Sequence, residues 1–295
     1  DDGVSLRQAL SSAGVDPDGL ADAPSWVGKL AGFLEIHIDQ TTELARAGDP
    51  VGVVRSLAAR TRLEVTLTGR ADHAGTTPPA ERRDALAAAA RLIVGAEDLA
   101  LGDGPAASDG GALGEGSVAP EGGASGEGSA ARDGGAFAFG GDHAPLTVTA
   151  SRIITKPNAP TTIAAEVRLW IDARAPSFGA IDAWRRRFDA LVAEVSERSG
   201  VGIEVAVASR SDPREFSGEV RAALSRACED VLGHAAVELV CFAGHDAGVL
   251  AERVPAGMLL VRNETGISHS PEESVSLDDA ATAAQVVQRA LELMG

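Results

Sequence analysis

The feature that most constrains the fold is a series of six periodic segments in the middle of the chain. Apolar residues alternate with polar ones in 62–68 and 165–173, as in half-buried strands, and recur at helical spacing in 81–99. The series runs, in chain order, strand 62–68, helix 81–99, strand 145–154, strand 165–173, a helix capped by Ser177 and closed by Gly200, and strand 202–208. This order predicts a ferredoxin-like α/β sandwich.

A Gly-rich segment, 102–142, interrupts the series. It holds 14 of the 34 glycines, and seven acidic residues against one basic residue, Arg132. Such a composition buries too little apolar surface to offset the entropy lost on ordering, so we predict a disordered loop at about 102–143. Its GxG triplets follow no predicted strand, which argues against a dinucleotide-binding loop. A binding tail is the alternative that the composition leaves open.

The two ends of the chain show a different pattern, in which helices alternate with short buried strands. The predicted elements after Pro213 are helix 216–232, strands 237–242 and 256–262, and a final helix from Ser276 with Asp279 at the capping-box position. The part before the series contains only a helix and one strand, Phe33–Asp39, too few for a domain. We therefore predict an α/β fold with a doubly wound sheet formed by 1–51 and 212–295, into which 52–211 is inserted.

Charge and composition exclude several classes of protein. The net charge of −17 argues against a protein that binds nucleic-acid phosphates. Two cysteines are too few for a disulfide framework, and no apolar run reaches the roughly 18 residues of a membrane span. We expect a cytoplasmic protein with neither nucleic acid nor a membrane as partner. The sequence opens Asp1-Asp2-Gly3 without Met, which suggests a fragment or a processed chain.

Among the six histidines, His143 and His234 are expected to be solvated surface residues. His37 is more informative, because strand alternation would place it on one face with Glu35 and Asp39. Three ionisable groups on one face of a buried strand are unfavourable unless they are paired or bind a metal. A metal ligand and a core histidine paired with carboxylates both remain open here.

Three further histidines stand at strand ends or in tight turns. His73 follows the strand at 62–68, His245 is next to Asp246 after a predicted strand, and His269 follows the next strand. Ligand sites of open α/β sheets collect at strand ends. An ordinary loop histidine remains the alternative at each position, and the recurrence of the pattern indicates a site.

Four segments resemble, in the same order, motifs of the hydantoinase/carbamoylase branch of the M20 metallopeptidase-like hydrolases. They are 35–40 (E-x-H-I-E-Q), 69–85 (G-x-x-x-H-A-G-T-T-P-M-x-x-R-x-D-A), 243–247 (G-A-G-H-D-A) and 266–273 (G-I-S-H-x-P-x-E). The branch contains allantoate amidohydrolases, N-carbamoyl-L-amino-acid hydrolases and β-ureidopropionases. The resemblance implies a di-metal hydrolase domain with an inserted ferredoxin-like dimerisation (lid) domain.

The resemblance also implies a metal centre. Members bind two divalent ions, Zn or Mn, and His37 and His269 match one ligand on each ion. Such ions polarise an amide carbonyl and supply a hydroxide nucleophile. Gln40, His245 and Asp246 match residues that stand directly behind the ligands.

The remaining roles that the resemblance implies concern the substrate. His73 matches a catalytic residue that reaches the partner subunit's active site and stabilises the developing oxyanion. Arg62 and Arg174 match positions that hold the substrate carboxylate, a task suited to the guanidinium fork. The family has Asn thirteen residues before Arg174. Here that position is Thr161, and nearby Asn158 is the other candidate for this contact.

In the family, an H-x-D motif, a bridging Asp, a Glu-Glu pair and one further ligand lie upstream of the segment that this chain matches. We therefore expect the C-terminal portion of an amidohydrolase acting on a small ureido or carbamoyl acid, such as allantoate or an N-carbamoyl amino acid. We expect a homodimer through 52–211 and no turnover by this chain alone. A catalytically inactive, truncated paralogue that only dimerises and an M20-type peptidase remain alternatives. The substrate acid and the choice of Zn or Mn stay open.

Overall fold

The computed structural model describes residues 3–20, 27–102 and 146–295. The predicted Gly-rich loop, apart from its first residue, and His143 lie outside the described residues. The chain divides into two compact units, Asp1–Ala58 with Arg214–Gly295, and Ala59–Pro213. In the described ranges, no helix combines the length and the apolar character needed to cross a membrane.

The helices and strands follow one another in this order: α1 (Leu6–Ser12), β1 (Phe33–Ile38), α2 (Glu43–Ala47), β2 (Val51–Leu57), β3 (Ala59–Thr68), α3 (Ala85–Leu101), β4 (Thr147–Lys156), β5 (Glu166–Ala175), α4 (Phe178–Ser199), β6 (Gly202–Ser211), β7 (Arg214–Glu215), α5 (Gly218–Leu232), β8 (Val237–Cys241), α6 (Asp246–Leu250), β9 (Ala256–Val261) and α7 (Leu277–Met294). A short 3₁₀ turn, Pro79–Glu81, precedes α3.

The unit Ala59–Pro213 has the strand and helix order that the sequence predicts. Its antiparallel sheet has the order β4-β5-β3-β6, the arrangement of a ferredoxin-like sandwich. Alternate residues of β3 and β5 are fully buried against α3 and α4. In that core Trp184 stacks on Phe188 with ring centroids 5.0 Å apart. Trp170, on the opposite face of the sheet, has the guanidinium groups of Arg152 and Arg168 over its ring, 4.8 and 4.9 Å from the centroid.

The starts of the helices show which capping residues form their hydrogen bonds. Asp84 accepts bonds from two backbone N–H groups in the first turn of α3, so this helix begins at Ala85 and not at 81. Ser276 likewise accepts the N–H of Asp279 at the start of α7, as predicted. Ser177 occupies the N-cap of α4 but makes no side-chain capping bond, so that part of the prediction is wrong.

The unit formed by the two chain ends contains a mixed sheet. Its strands have the order β1-β9-β2, with β8 on the free side of β2 and the short β7 paired to the end of β2. β1 runs parallel to β9 and β2 runs parallel to β8, while β2 and β9 are antiparallel. α5 and α7 pack on one face, and α2 and α6 contribute to the core on the other. Helices therefore cover both faces, as expected for a doubly wound sheet.

β2 corrects the predicted position of the junction between the units. The sequence pattern places 52–211 in the inserted segment and predicts no strand at Val51–Leu57. This strand pairs with β8 and β9, so the division falls between Ala58 and Ala59. The strand lacks alternation because six of its seven residues are buried, which is typical of a strand covered on both faces.

Candidate metal and substrate sites

Two of the four motif segments meet at one edge of the mixed sheet. β1 and β9 are neighbouring parallel strands, and the backbone N–H of Asp39, directly after β1, donates to the carbonyl of Val261, 2.7 Å away. The loops that follow both strands touch, because a Cβ on Gly266 would lie 2.8 Å from Cγ2 of Thr42. The fold therefore brings the segment of His37 beside the segment that carries His269.

His37 is partly buried and has one ring nitrogen committed to the backbone. Its Nδ1 lies 2.8 Å from the carbonyl oxygen of Ile38, to which it donates, and this leaves the lone pair of Nε2 for a ligand. The ring of His245 lies at its edge, with the centroids 4.4 Å apart at 71°. Asp39, which the alternation placed with His37, is buried and accepts hydrogen bonds from the backbone and side chain of Thr41.

Glu35 and His245 form a partly buried pair beside His37. Oε1 of Glu35 lies 3.3 Å from Nδ1 of His245, and Oε2 accepts the N–H of Ala247, at 2.7 Å, in the first turn of α6. Nε2 of His245 lies 3.2 Å from Sγ of Cys241. Burial, and then the neighbouring His37, lowers the pKa of His245 below its usual range despite the Glu35 carboxylate. Glu35, His37 and His245 present ligand atoms within 4.8 Å of one another.

His269 lies outside that three-residue group. It is exposed and has a left-handed backbone with φ of 58°, and its N–H donates to Oε2 of Glu273, 3.2 Å away. The loop before it is organised by the buried Asn263, whose amide donates to the carbonyl of Ile267 and accepts the N–H of Gly266. Asn263 is not among the residues predicted from the motifs. An Asn directly after a buried strand and shortly before a Gly is the signal that marks such a turn.

Gln40 and Asp246, the other residues expected behind the ligands, differ in exposure. Gln40 is partly buried after Asp39, and Asp246 is exposed as the first residue of α6. A carboxyl group that sequence reasoning did not single out, Glu43, lies near Asp39 at the start of α2. Burial, and then the charge of Asp39, raises the pKa of Glu43 to about 7. Its Oε1 is buried and has no hydrogen-bond partner.

In the unit Ala59–Pro213, Asp172 joins the two arginines that the resemblance assigned to substrate binding. Arg62 Nε donates to Oδ2 of Asp172 at 2.7 Å, and Arg174 Nε donates to Oδ1 at 2.6 Å. Burial alone would raise the pKa of Asp172, but hydrogen bonds from Arg174 and Arg62 hold it below its usual range. Two guanidinium groups around one carboxylate leave a net positive charge on this face of the sheet.

His73 lies in a tight turn that pairs, through an isolated antiparallel bridge to Thr162, with the Thr161 segment. Its Nδ1 accepts the backbone N–H groups of Gly75 and Thr76, at 3.0 and 3.1 Å, so Nε2 carries the proton of the neutral ring. The N–H of Ala74 donates to the carbonyl of Thr161, 2.9 Å away. Asn158, the other candidate for the family's amide contact, is exposed.

Comparison with known proteins agrees with this arrangement of motifs. A family model described as "Peptidase family M20/M25/M40" matches residues 18–293. An N-carbamoyl-L-amino acid amidohydrolase of Geobacillus stearothermophilus is 30% identical over 286 residues, covering 97% of this chain and 60% of that protein. An allantoate amidohydrolase of Bacillus subtilis (strain 168) is 28% identical over 277 residues, covering 93% and 56%.

A solved structure extends the similarity to the fold. The amidase of the hydantoinase/carbamoylase family from Burkholderia vietnamiensis is 26% identical, with a TM-score of 0.70, covering 89% of this chain and 54% of that one. The chain thus spans less than two thirds of the length of these relatives.

Proposed function

Because the chain belongs to peptidase family M20/M25/M40, we propose that it serves in a metal-dependent amidohydrolase that cleaves the linear C–N bond of a ureido or carbamoyl acid. Allantoate and N-carbamoyl amino acids are the substrates we propose, because the relatives just described are named for them. The four motifs that suggested this branch all lie within the matched residues. We propose a cytoplasmic location, as expected from the sequence.

The donor atoms of the chain suit the two divalent ions, Zn or Mn, that we propose for the complete enzyme. With Nδ1 of His37 donating to a backbone carbonyl, its Nε2 offers the neutral imidazole lone pair that such ions take. We propose His269 as the corresponding ligand on the second ion. When bound, the ions supply Lewis acidity and an activated water. Gln40 and Asp246 are proposed to stand behind these ligands.

The observation that carries the choice of an acidic substrate is the Arg62–Asp172–Arg174 cluster. Asp172 holds the two guanidinium groups on one face of the sheet, with net positive charge, and Arg62 is 48% exposed at its side chain. A substrate carboxylate fits this cluster because guanidinium groups bind carboxylates through paired N–H donors. We propose Thr161, beside the His73 turn, for the contact that the family makes with Asn, with Asn158 as the other candidate.

His73 is proposed to donate from Nε2 to the oxyanion that develops in the partner subunit's active site. Its neutral tautomer, fixed by two backbone N–H groups on Nδ1, has the proton on the outer nitrogen, as this task requires. We propose that the unit Ala59–Pro213 is the lid through which two copies dimerise. Its strands β4 and β6 support this, because they form the edges of the sheet within the described residues, and an unpaired strand edge is a template for pairing with another chain.

The test is an assay of the complete translated reading frame that contains these residues. The purified protein, loaded with Zn or Mn, is offered allantoate, N-carbamoyl amino acids, a β-ureido acid and dipeptides. We expect turnover of a carbamoyl or ureido acid that a chelator abolishes and that His37→Asn or His269→Asn reduces at least 100-fold. Hydrolysis of dipeptides alone would favour a peptidase, and no turnover of any substrate would favour the inactive dimerising module.

A further inference from the structure

Three side chains of the mixed-sheet unit lie close together, and all three belong to residues of that unit. Glu35 and His37 project from β1, and His245 precedes α6. Their ligand atoms lie within 4.8 Å of one another. The side chains of His245 and Glu35 are 4% and 16% exposed, so the group is largely shielded from water.

Each of the three side chains has its other polar atom bound to a neighbour. Oε2 of Glu35 accepts the N–H of Ala247, and Nδ1 of His37 donates to its own strand's backbone. Nε2 of His245 lies 3.2 Å from Sγ of Cys241, to which it donates when Nδ1 is unprotonated. These bonds leave Oε1 of Glu35, Nε2 of His37 and Nδ1 of His245 for one another. Outer partners of this kind are how proteins orient histidine and carboxylate ligands of a metal.

The distance inside the pair also suits two ligands of one metal ion. Zn–N and Zn–O bonds of about 2.0–2.2 Å in a tetrahedron place two ligand atoms about 3.3–3.5 Å apart. Oε1 of Glu35 and Nδ1 of His245 are 3.3 Å apart.

We propose that Glu35, His37 and His245 bind one divalent ion, and that the donor set of two imidazoles and a carboxylate favours zinc. Three protein ligands leave a fourth position for water. The site goes beyond the proposed function, in which His37 and His269 are the ligands in this chain. Here Glu35 and His245 coordinate the ion directly, and His269 is not needed.

The test is a zinc titration of the chelator-stripped 295-residue chain at neutral pH, in competition with a chromophoric chelator. We expect one equivalent of zinc to bind. His245→Asn should raise the Kd at least 100-fold, and the isosteric Glu35→Gln at least tenfold. His269→Asn and the surface control His234→Asn should leave the Kd within threefold. Far-UV circular dichroism checks that each variant is folded. If His245→Asn does not fold, the Kd of Glu35→Gln for zinc provides the test.

A cobalt spectrum provides a second measurement that does not depend on activity. With Co²⁺ in the site we expect no thiolate charge-transfer band, and no change in the spectrum on Cys241→Ser, because Cys241 stands behind His245. A strong thiolate band would overturn the proposed ligand set. The proposal also fails if His269→Asn abolishes zinc binding while His245→Asn and Glu35→Gln do not. That outcome would leave the proposed hydrolase intact, whereas an inactive complete enzyme with normal zinc binding would contradict only the proposed function.

Discussion

At the scale of single residues, a substitution of Arg174 distinguishes most clearly between substrate binding and a structural role. Arg174→Lys keeps the charge but loses the planar fork. In the complete enzyme we expect a higher KM for a carbamoyl acid and a kcat/KM at least tenfold lower, which corresponds to about 1.4 kcal/mol. Steady-state kinetics measure this, and Arg210→Lys, at an exposed pair with Asp182, is the matched control.

Metal content and sedimentation should be unchanged in Arg174→Lys. A variant with wild-type kcat/KM on every carbamoyl acid tested would limit the role of Arg174 to its ion pair with Asp172.

Glu43 gives a prediction about pH. Its pKa rises from 4.5 to about 7 on folding, so between these values the folded state holds a proton that the unfolded state has released. The stability that the protonated Glu43 contributes to the folded state is therefore fully present below about pH 4.5 and is lost as the pH rises through 7. Glu43→Gln, which is neutral at every pH, should therefore raise the melting temperature relative to the wild type at pH 8 more than at pH 5.

Thermal denaturation at both pH values measures the difference. Glu194→Gln, at an exposed pair with Arg198, should show no such dependence. An equal effect of Glu43→Gln at pH 5 and pH 8 would contradict the raised pKa.

The residues that the sequence analysis identified and those that it missed differ in a physical way. His37, His73 and His245 stand in short motifs, so the neighbouring sequence is enough to identify them. Asn263 and Glu43 act through contacts that the fold creates, such as the buried oxygen of Glu43 near Asp39. The role of Glu35 likewise depends on Ala247, which is distant in sequence. Hydrophobic periodicity carries no information about such contacts.

At the scale of elements, alternation predicted strands that have one polar face, and it failed for β2, which is buried on both faces. Burial patterns of β3 and β5 confirm the predicted parity, with Asp172 and Arg174 on the face opposite Ile171. Helix starts follow less directly from the sequence, because a capping residue fits the pattern whether or not its side chain forms the bond. Ser177 illustrates this.

Asp84 and Ser177 form a matched pair for testing the helix caps. Asp84→Ala removes the acceptor of two backbone N–H groups, each 3.0 Å away, and should lower the free energy of unfolding by about 1 kcal/mol. Ser177→Ala removes no capping bond and should change it by less than about 0.5 kcal/mol. Chemical denaturation measures both values. Equal losses of unfolding free energy in the two variants would show that the two hydrogen bonds to Asp84 do not stabilise the helix.

At the scale of the whole molecule, the order of elements predicted an inserted segment, but only β-pairing located the junction at Ala58–Ala59. The role of that segment in assembly remains a proposal, because pairing between copies leaves no periodic signal in one sequence. Sedimentation should give twice the mass of one chain at micromolar concentration. Ile153→Lys on β4 or Val207→Lys on β6 should weaken the dimer, because both side chains are exposed on edge strands.

Val249→Lys, at an exposed position in the other unit, is the control for added charge. A monomer at these concentrations, or a dimer that tolerates both edge substitutions, would contradict dimerisation through this segment.

The placement of the aromatic residues determines what ultraviolet spectroscopy of this protein reports. The chain has three tryptophans and no tyrosine, and both tryptophans in the described residues, Trp170 and Trp184, belong to the unit Ala59–Pro213. With Trp26 replaced by Phe, all indole emission would come from that unit, from one buried ring stacked on Phe188 and one ring in contact with two guanidinium groups. Fluorescence would then follow the unfolding of one half of the molecule, while circular dichroism follows both, so the difference between the two curves measures how cooperatively the halves unfold.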